Sequence, residues 1–167
     1  VITPMRIASL PEGRSLSEPV TAIVTLGGVG LLPFAPGTWG SAAALPLGWL
    51  IAAFGGWPAL LAGAALVAAI GWRASDRYVK LTGREDPPEI VIDEVAAQWL
   101  ALSVVPLTLT GYFAAFFVFR LLDTLKPWPA SWADAEVEGG AGVMLDDLFA
   151  GLYSVLPLAA LRITGFI

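Results

Sequence analysis

Apolar positions along this chain come in runs rather than in alternation, and glycine, proline and two charged loops punctuate the runs. Runs of this length predict helices, whereas strict alternation would predict strands. Residues 1–19, with Pro4, Pro11, Pro19 and mixed charges, read as a mobile or surface-lying arm rather than a signal peptide. A moderately apolar piece, Val20 to Phe34, carries Gly27, Gly28 and Gly30, which weaken a helix and predict a short or interfacial element. Five stronger stretches follow: Ala42 to Phe54, Ala59 to Trp72, Ile90 to Val105, Tyr112 to Leu125 and Val143 to Leu161. Gly55-Gly56-Trp57-Pro58 predicts a turn between the first two, while Pro106 and Pro127 end the third and fourth. Several stretches fall short of the ~20 residues a full helical span needs, so tight hairpins, tilts or partial insertion are expected. No fixed repeat period appears, and residues 20–167 read as one helical domain.

Composition turns this helical pattern into a membrane pattern. With 57% hydrophobic and 14% charged residues and a mean hydropathy of +0.76, the charges could hardly cover the surface of a soluble domain of this size. The basic residues lie in the arm, in Arg73 to Arg84, and at Arg120 and Lys126, and only Arg162 stands apart. By the positive-inside rule, the loops around Pro36, Arg73 to Glu89 and Lys126 to Gly142 then face the cytoplasm. The turns at 55–58 and 106–111 carry no charge and face the other side. That parity collects nearly every ionisable residue on one face.

Two absences narrow the chemistry. Without cysteine there is no thiolate ligand or nucleophile, and without histidine there is no imidazole base or zinc ligand. Chemistry at neutral pH falls to carboxylates, Lys, Ser, Thr, Tyr or a bound metal. The net charge of −5 leaves no basic stripe for nucleic acid.

Four constellations concentrate the polar residues. In Pro36-Gly37-Thr38-Trp39-Gly40-Ser41, Thr or Ser can cap a helix and the glycines let backbone amides approach an anion, so Thr38, Gly40 and Ser41 are candidate phosphate binders. A plain capping turn is the equally simple reading. Asp93 and Glu94 open the apolar stretch at Ile90, with Gln98 one turn beyond Glu94. They either complement a helix dipole or form a costly, and therefore functional, intramembrane pair. Arg120, Asp123 and Lys126 recur every third residue along roughly one helical face, as a surface ladder or as a site at the membrane boundary. Asp146 and Asp147 follow Gly139, Gly140 and Gly142, which precede a helix, and Ala150 and Gly151 then allow close helix approach. Asp93, Glu94, Asp123, Asp146 and Asp147 beside Arg120 and Lys126 predict carboxylates holding Mg²⁺, with the two cations balancing charge in phosphoryl transfer. Magnesium is the simplest ion because the chain offers oxygen ligands only.

Together, PFAPGTWGS at Pro33 to Ser41, EIVIDEVAAQW at Glu89 to Trp99, FRLLDTLKPWP at Phe119 to Pro129 and GVMLDDLFAG at Gly142 to Gly151 resemble the phosphatidylglycerophosphatase A family. The resemblance runs in order over about residues 20–151. It implies an all-α, membrane-embedded bundle of short helices with its active site at the cytoplasmic face of the bacterial inner membrane. It implies a Mg²⁺-dependent phosphatase that converts phosphatidylglycerophosphate to phosphatidylglycerol in phospholipid biosynthesis, with a membrane phospholipid as partner. It also adds Asp86 to the candidate metal ligands. Glu138 departs from the family pattern, and the terminal arms match nothing in it.

A lipid substrate suits a site at the interface, where Trp39, Trp99 and Trp128 could set its depth, although Trp99 serves equally as packing. No DxDx[TV]-type loop is present, which favours metal-activated water over an aspartyl phosphate. Two alternatives stay open: a non-enzymatic membrane protein that binds cations or assembles partners, and a phosphatase of soluble esters. The sequence leaves the oligomeric state open.

Overall fold

The computed structural model describes residues 9–167, so residues 1–8 of the predicted arm lie outside the described residues. Among the described residues the fold is entirely helical: α1 (Pro19–Val24), a 3₁₀ turn (Val29–Leu31), α2 (Pro36–Thr82), α3 (Ile92–Leu102), α4 (Leu109–Leu125), α5 (Ala130–Glu136) and α6 (Gly139–Ile163).

The first two strong apolar stretches form one element, α2, broken at Gly56, whose φ of 63° and ψ of −165° lie outside the helical region. The break falls in the predicted Gly-Gly-Trp-Pro turn. It makes α2 a hairpin, because Gly40 and Gly71 pack at the level of Val91 and Ile92, while Gly48 and Gly63 pack on Trp99. The two arms thus run in opposite directions along α3, and the Trp99 indole N–H donates to the Ala44 carbonyl at 2.9 Å. The first arm starts at Pro36 after Ala35 and has no side-chain cap, so Thr38 and Ser41 lie inside the helix. Proline at the first helical position makes the cap dispensable, since its missing N–H is one that would have no partner there.

The stretch from Ile90 condenses into α3, all of whose residues except Leu100 are buried. Its eleven residues are about 16 Å long at 1.5 Å per residue, half a bilayer core. Its neighbours shelter it: α2 on one side and α6 on the other, where Gly151 lies so close to Ala97 that a Cβ would stand 2.8 Å from the Ala97 carbonyl oxygen. The main core gathers Ala44, Leu60, Val95, Trp99, Tyr112, Phe119 and Leu158 around this helix. Large apolar side chains such as Phe54, Leu66, Phe117 and Leu156 point outward. Two helices, α2 and α6, are long and apolar enough to cross a membrane, and in the most apolar stretch of α2 only 11% of residues are buried within the protein. An all-helical bundle is what the hydropathy predicted, and these two helices are its candidates for crossing a membrane.

Three local expectations change. The helix carrying Asp146 and Asp147 starts at Gly139, so the glycines form its first turn instead of preceding it. Gly140 permits this, because a Cβ there would run into the backbone of Trp72 and Asp76 on α2. The charged segment 73–82 continues α2 as helix, and α5 occupies what reads as loop.

Candidate active site

The start of α3, the end of α4, the first turns of α6 and the start of α2 meet at one end of the bundle. Asp93 and Glu94 occupy the first turn of α3, where unpaired backbone N–H groups favour negative charge. Asp146 and Asp147 arrive from α6, two turns after its glycine start. One carboxylate oxygen from each of Asp93, Glu94 and Asp147 lies within 4.8 Å of the others. All three residues are buried. Asp93 Oδ1, Glu94 Oε2, Asp147 Oδ2 and also Asp146 Oδ1 are buried without a hydrogen-bond partner. Crowding unpaired carboxylates into a buried site is costly unless a cation shares it. A donor set made only of carboxylate oxygens fits a hard divalent ion such as Mg²⁺.

On one flank stands Arg120. Its Nη1 lies 3.0 Å from Asp123 Oδ2 and 3.9 Å from Glu94 Oε1, and it donates to the Ser41 hydroxyl at 3.4 Å. Ser41 in turn donates to the Gly37 carbonyl at 3.0 Å, so its hydroxyl holds Arg120 against the first turn of α2. Gly37 sits so near the site that a Cβ would run into Glu94 Oε1 and come within 3.3 Å of Arg120 Nη1. Thr38 is half-buried in the same turn. Gly40 instead faces Val91, where it allows α2 and α3 to touch.

Lys126 does not continue the Arg120–Asp123 row. It caps α4 in the left-handed region, with φ 43°, and reaches Asp134 of α5 and Asp146 of α6, the latter at 2.8 Å. Burial pulls its ammonium toward neutrality, but the hydrogen bonds to Asp134 and Asp146 outweigh this and hold its pKa above the ordinary lysine value. Asp86 is exposed. It lines a cleft of about 160 Å³ with Glu85, Asp93, Asp134, Glu138 and Asp146.

Every predicted site residue therefore lies at this end, with Asp93, Glu94 and Asp147 at the centre and Asp86 at the rim. Sequence reasoning omitted Gly37 and Asp134 from the site. Gly37 stands in a motif already singled out, but its closeness to Glu94 depends on how α2 packs on α3. Nothing local marks Asp134. Gln98, noted for its spacing from Glu94, is fully buried with neither amide atom partnered. Of the three tryptophans, Trp39 and Trp128 are exposed and Trp99 is core.

A family model described as Phosphatidylglycerophosphatase A matches residues 22–162. The chain belongs to the phosphatidylglycerophosphatase A family. It is accordingly an enzyme, a phosphatase. It is 38% identical over 140 residues to the Escherichia coli (strain K12) phosphatidylglycerophosphatase A, covering 83% of this chain and 81% of that protein. It is 34% identical over 149 residues to the Haemophilus influenzae protein of the same name, covering 89% and 91%. It is also 38% identical over 143 residues to a Bacteroides thetaiotaomicron protein named provisionally as a phosphatidylinositol-3-phosphatase, covering 81% and 88%. No solved structure matches the chain significantly. The four segments that carry the resemblance to phosphatidylglycerophosphatase A are the same four that the fold brings together at the carboxylate cluster.

Proposed function

We propose that this chain hydrolyses the terminal phosphate monoester of phosphatidylglycerophosphate, releasing phosphatidylglycerol and inorganic phosphate as a step of phospholipid biosynthesis. The names of two relatives support the substrate. The observation that carries the chemistry is the convergence of Asp93, Glu94 and Asp147, with buried unpartnered oxygens, beside Arg120 at one end of an apolar bundle. The protein would be a multi-pass component of the bacterial inner membrane with this end at the cytoplasm, as the basic residues at the same end favour.

Asp93, Glu94 and Asp147 would hold Mg²⁺, with Asp123 and Asp146 next to them. When bound, the ion neutralises charge at the phosphoryl group. Arg120, held by Asp123 and Ser41, directs its remaining N–H groups to the phosphoryl oxygens. Gly37, lacking a side chain, would let the anion approach its own backbone N–H, whereas Pro36 has none and that of Thr38 donates to the Ala35 carbonyl. Water attacks phosphorus, the bond to the ester oxygen breaks, and the leaving alkoxide takes its proton from solvent water. Glu94, the cluster member beside Arg120, accepts the proton from the attacking water. Lys126, held charged by two aspartates, is a fixed cation rather than the proton donor.

The test is phosphate release by purified protein from phosphatidylglycerophosphate, phosphatidylinositol 3-phosphate and glycerol 3-phosphate in parallel. The proposal expects Mg²⁺-dependent release chiefly from the first, and loss in Asp123→Asn and Asp147→Asn with the fold retained. Full activity in excess chelator would overturn the metal assignment, and preference for the second or third substrate would overturn the headgroup or the lipid.

A further inference from the structure

Between the first arm of α2 and α4 lies an apolar groove of about 270 Å³, lined by Leu45, Pro46, Trp49, Leu109, Tyr112 and Phe113. Two contacts fix its place relative to the active site. Arg120 donates to Ser41 at 3.4 Å, and the rings of Trp49 and Tyr112 meet edge to face at 4.9 Å. From Ser41 forward to Trp49 and from Arg120 back to Tyr112 are eight residues each, so the two helices run antiparallel in constant register. At 1.5 Å per residue, the level of Trp49 and Tyr112 lies about 12 Å from the Arg120–Ser41 contact. Leu45 follows Ser41 by one helical turn and Phe113 precedes Arg120 by two, spacings that keep groove residue and site residue on one face of each helix. Groove and site are therefore two levels of a single seam.

We propose that this groove seats one acyl chain of the lipid substrate and so sets the depth at which its phosphate meets Arg120. The inference rests on the proposed function and concerns the part of the substrate that the carboxylates do not touch. From its terminal phosphorus to an acyl ester, phosphatidylglycerophosphate has about as many bonds as four residues of polypeptide, so it spans roughly 13 Å when extended. An acyl chain then begins at the depth of the groove. Two further apolar grooves lie at other depths: one, with Ile70 and Ile92, is level with the carboxylates, and one, with Trp57 and Val104, is at the opposite end. Leu109 and Phe113 are exposed, which leaves the groove open to a lipid entering sideways. The chain exchanges one apolar surrounding for another, so its burial adds little affinity. The groove acts by position instead, holding the headgroup in register with the groups that act on it.

Photolabelling of the detergent-purified full chain tests this. Asp147→Asn protein, in which the substrate persists, is irradiated with phosphatidylglycerophosphate carrying a diazirine near the ester end of one acyl chain, and labelled residues are read by peptide mass spectrometry. The expected result is labelling concentrated at Leu45, Trp49, Leu109 and Phe113, at least fivefold above that from phosphatidylcholine with the same chain. Leu109→Trp, which fills the groove from an exposed position, should abolish this excess and lower kcat/KM for phosphatidylglycerophosphate at least fivefold in the otherwise unaltered chain. Leu66→Trp adds the same bulk to another outward face and should do neither. Equal labelling by phosphatidylcholine would show ordinary membrane lipid in the groove and overturn the proposal, as would labelling concentrated elsewhere. A dimer in light scattering that Leu109→Trp dissociates would assign the groove to a second copy of the chain and overturn it too. Each of these results leaves the proposed function standing if the wild type releases phosphate from phosphatidylglycerophosphate, whereas no release would overturn both readings.

Discussion

Helices α2 and α3 pack along each other for most of α3's length, yet they solve opposite problems. The most apolar stretch of α2 buries 11% of its residues and presents the rest outward. Nearly every residue of α3 is buried, and it is too short to cross a bilayer core. The long helix supplies an apolar exterior, and the short one carries the charges inside it. The difference teaches that Asp93 and Glu94 are carried by an element its neighbours shelter, with Asp147 brought to them by α6, and that glycine contacts hold α2 and α3 at working distance.

Substitutions on either side of this division should have unequal effects. Asp147→Asn, at the centre, should cut phosphate release by at least ~10²–10³-fold, the scale of losing one preorganised electrostatic partner. It should also raise the melting temperature in the absence of divalent ions, because a neutral amide replaces a buried, crowded carboxylate. A lower melting temperature in calorimetry would break the claim that the acids are held together against their own repulsion. Gly37→Ala, on α2 but touching Glu94, should cost up to ~10²-fold in kcat through displaced catalytic groups, with little change in stability. Gly151→Ala, at the α3–α6 crossing, should lose ~1–3 kcal/mol in denaturant titration because it overpacks the backbone of Ala97. Tyr78→Phe removes the hydroxyl that donates to buried Glu89 at 2.9 Å and should cost ~1 kcal/mol. Leu66→Val, on the outward face of α2, should stay within about 0.5 kcal/mol. A large loss there would show that this face meets protein instead of lipid.

Most of the fold was legible because its signals are local. The Gly55 to Pro58 turn, the stop at Pro127 and the one-sided charges follow from residue type and order. The gathering of the four motifs at one end followed from topology parity, and the contacts of Glu94 with Arg120 and of Lys126 with Asp146 agree with it. What stayed hidden depends on contacts between distant segments. The glycines before Asp146 read as a break, since glycine weakens an isolated helix, but the tight approach of α6 to Trp72 and Asp76 selects helix there. Period-three spacing placed Lys126 in line with Arg120, whereas the left-handed cap swings it toward α5, an element with no clear signal. The division between an outward-facing α2 and a sheltered α3 is invisible to hydropathy, which scores both as apolar.

The glycine break in α2 bears on how the chain enters a membrane. In the proposed topology the two arms and their connection go in together as a hairpin, and the connecting residues 55–58 carry no charge. The same holds for residues 106–111. A charged side chain stranded at the centre of an inserting helix costs roughly 2.5–3.5 kcal/mol, and these hairpins have none to carry across. Among the charged side chains of the described residues, that topology would send Arg162 across, and Arg162 donates to the Val104 carbonyl at 3.0 Å. With the topology proposed above, the carboxylates would stay in the compartment in which they were synthesised, so insertion and assembly of the site would proceed without moving its charge through the hydrocarbon layer.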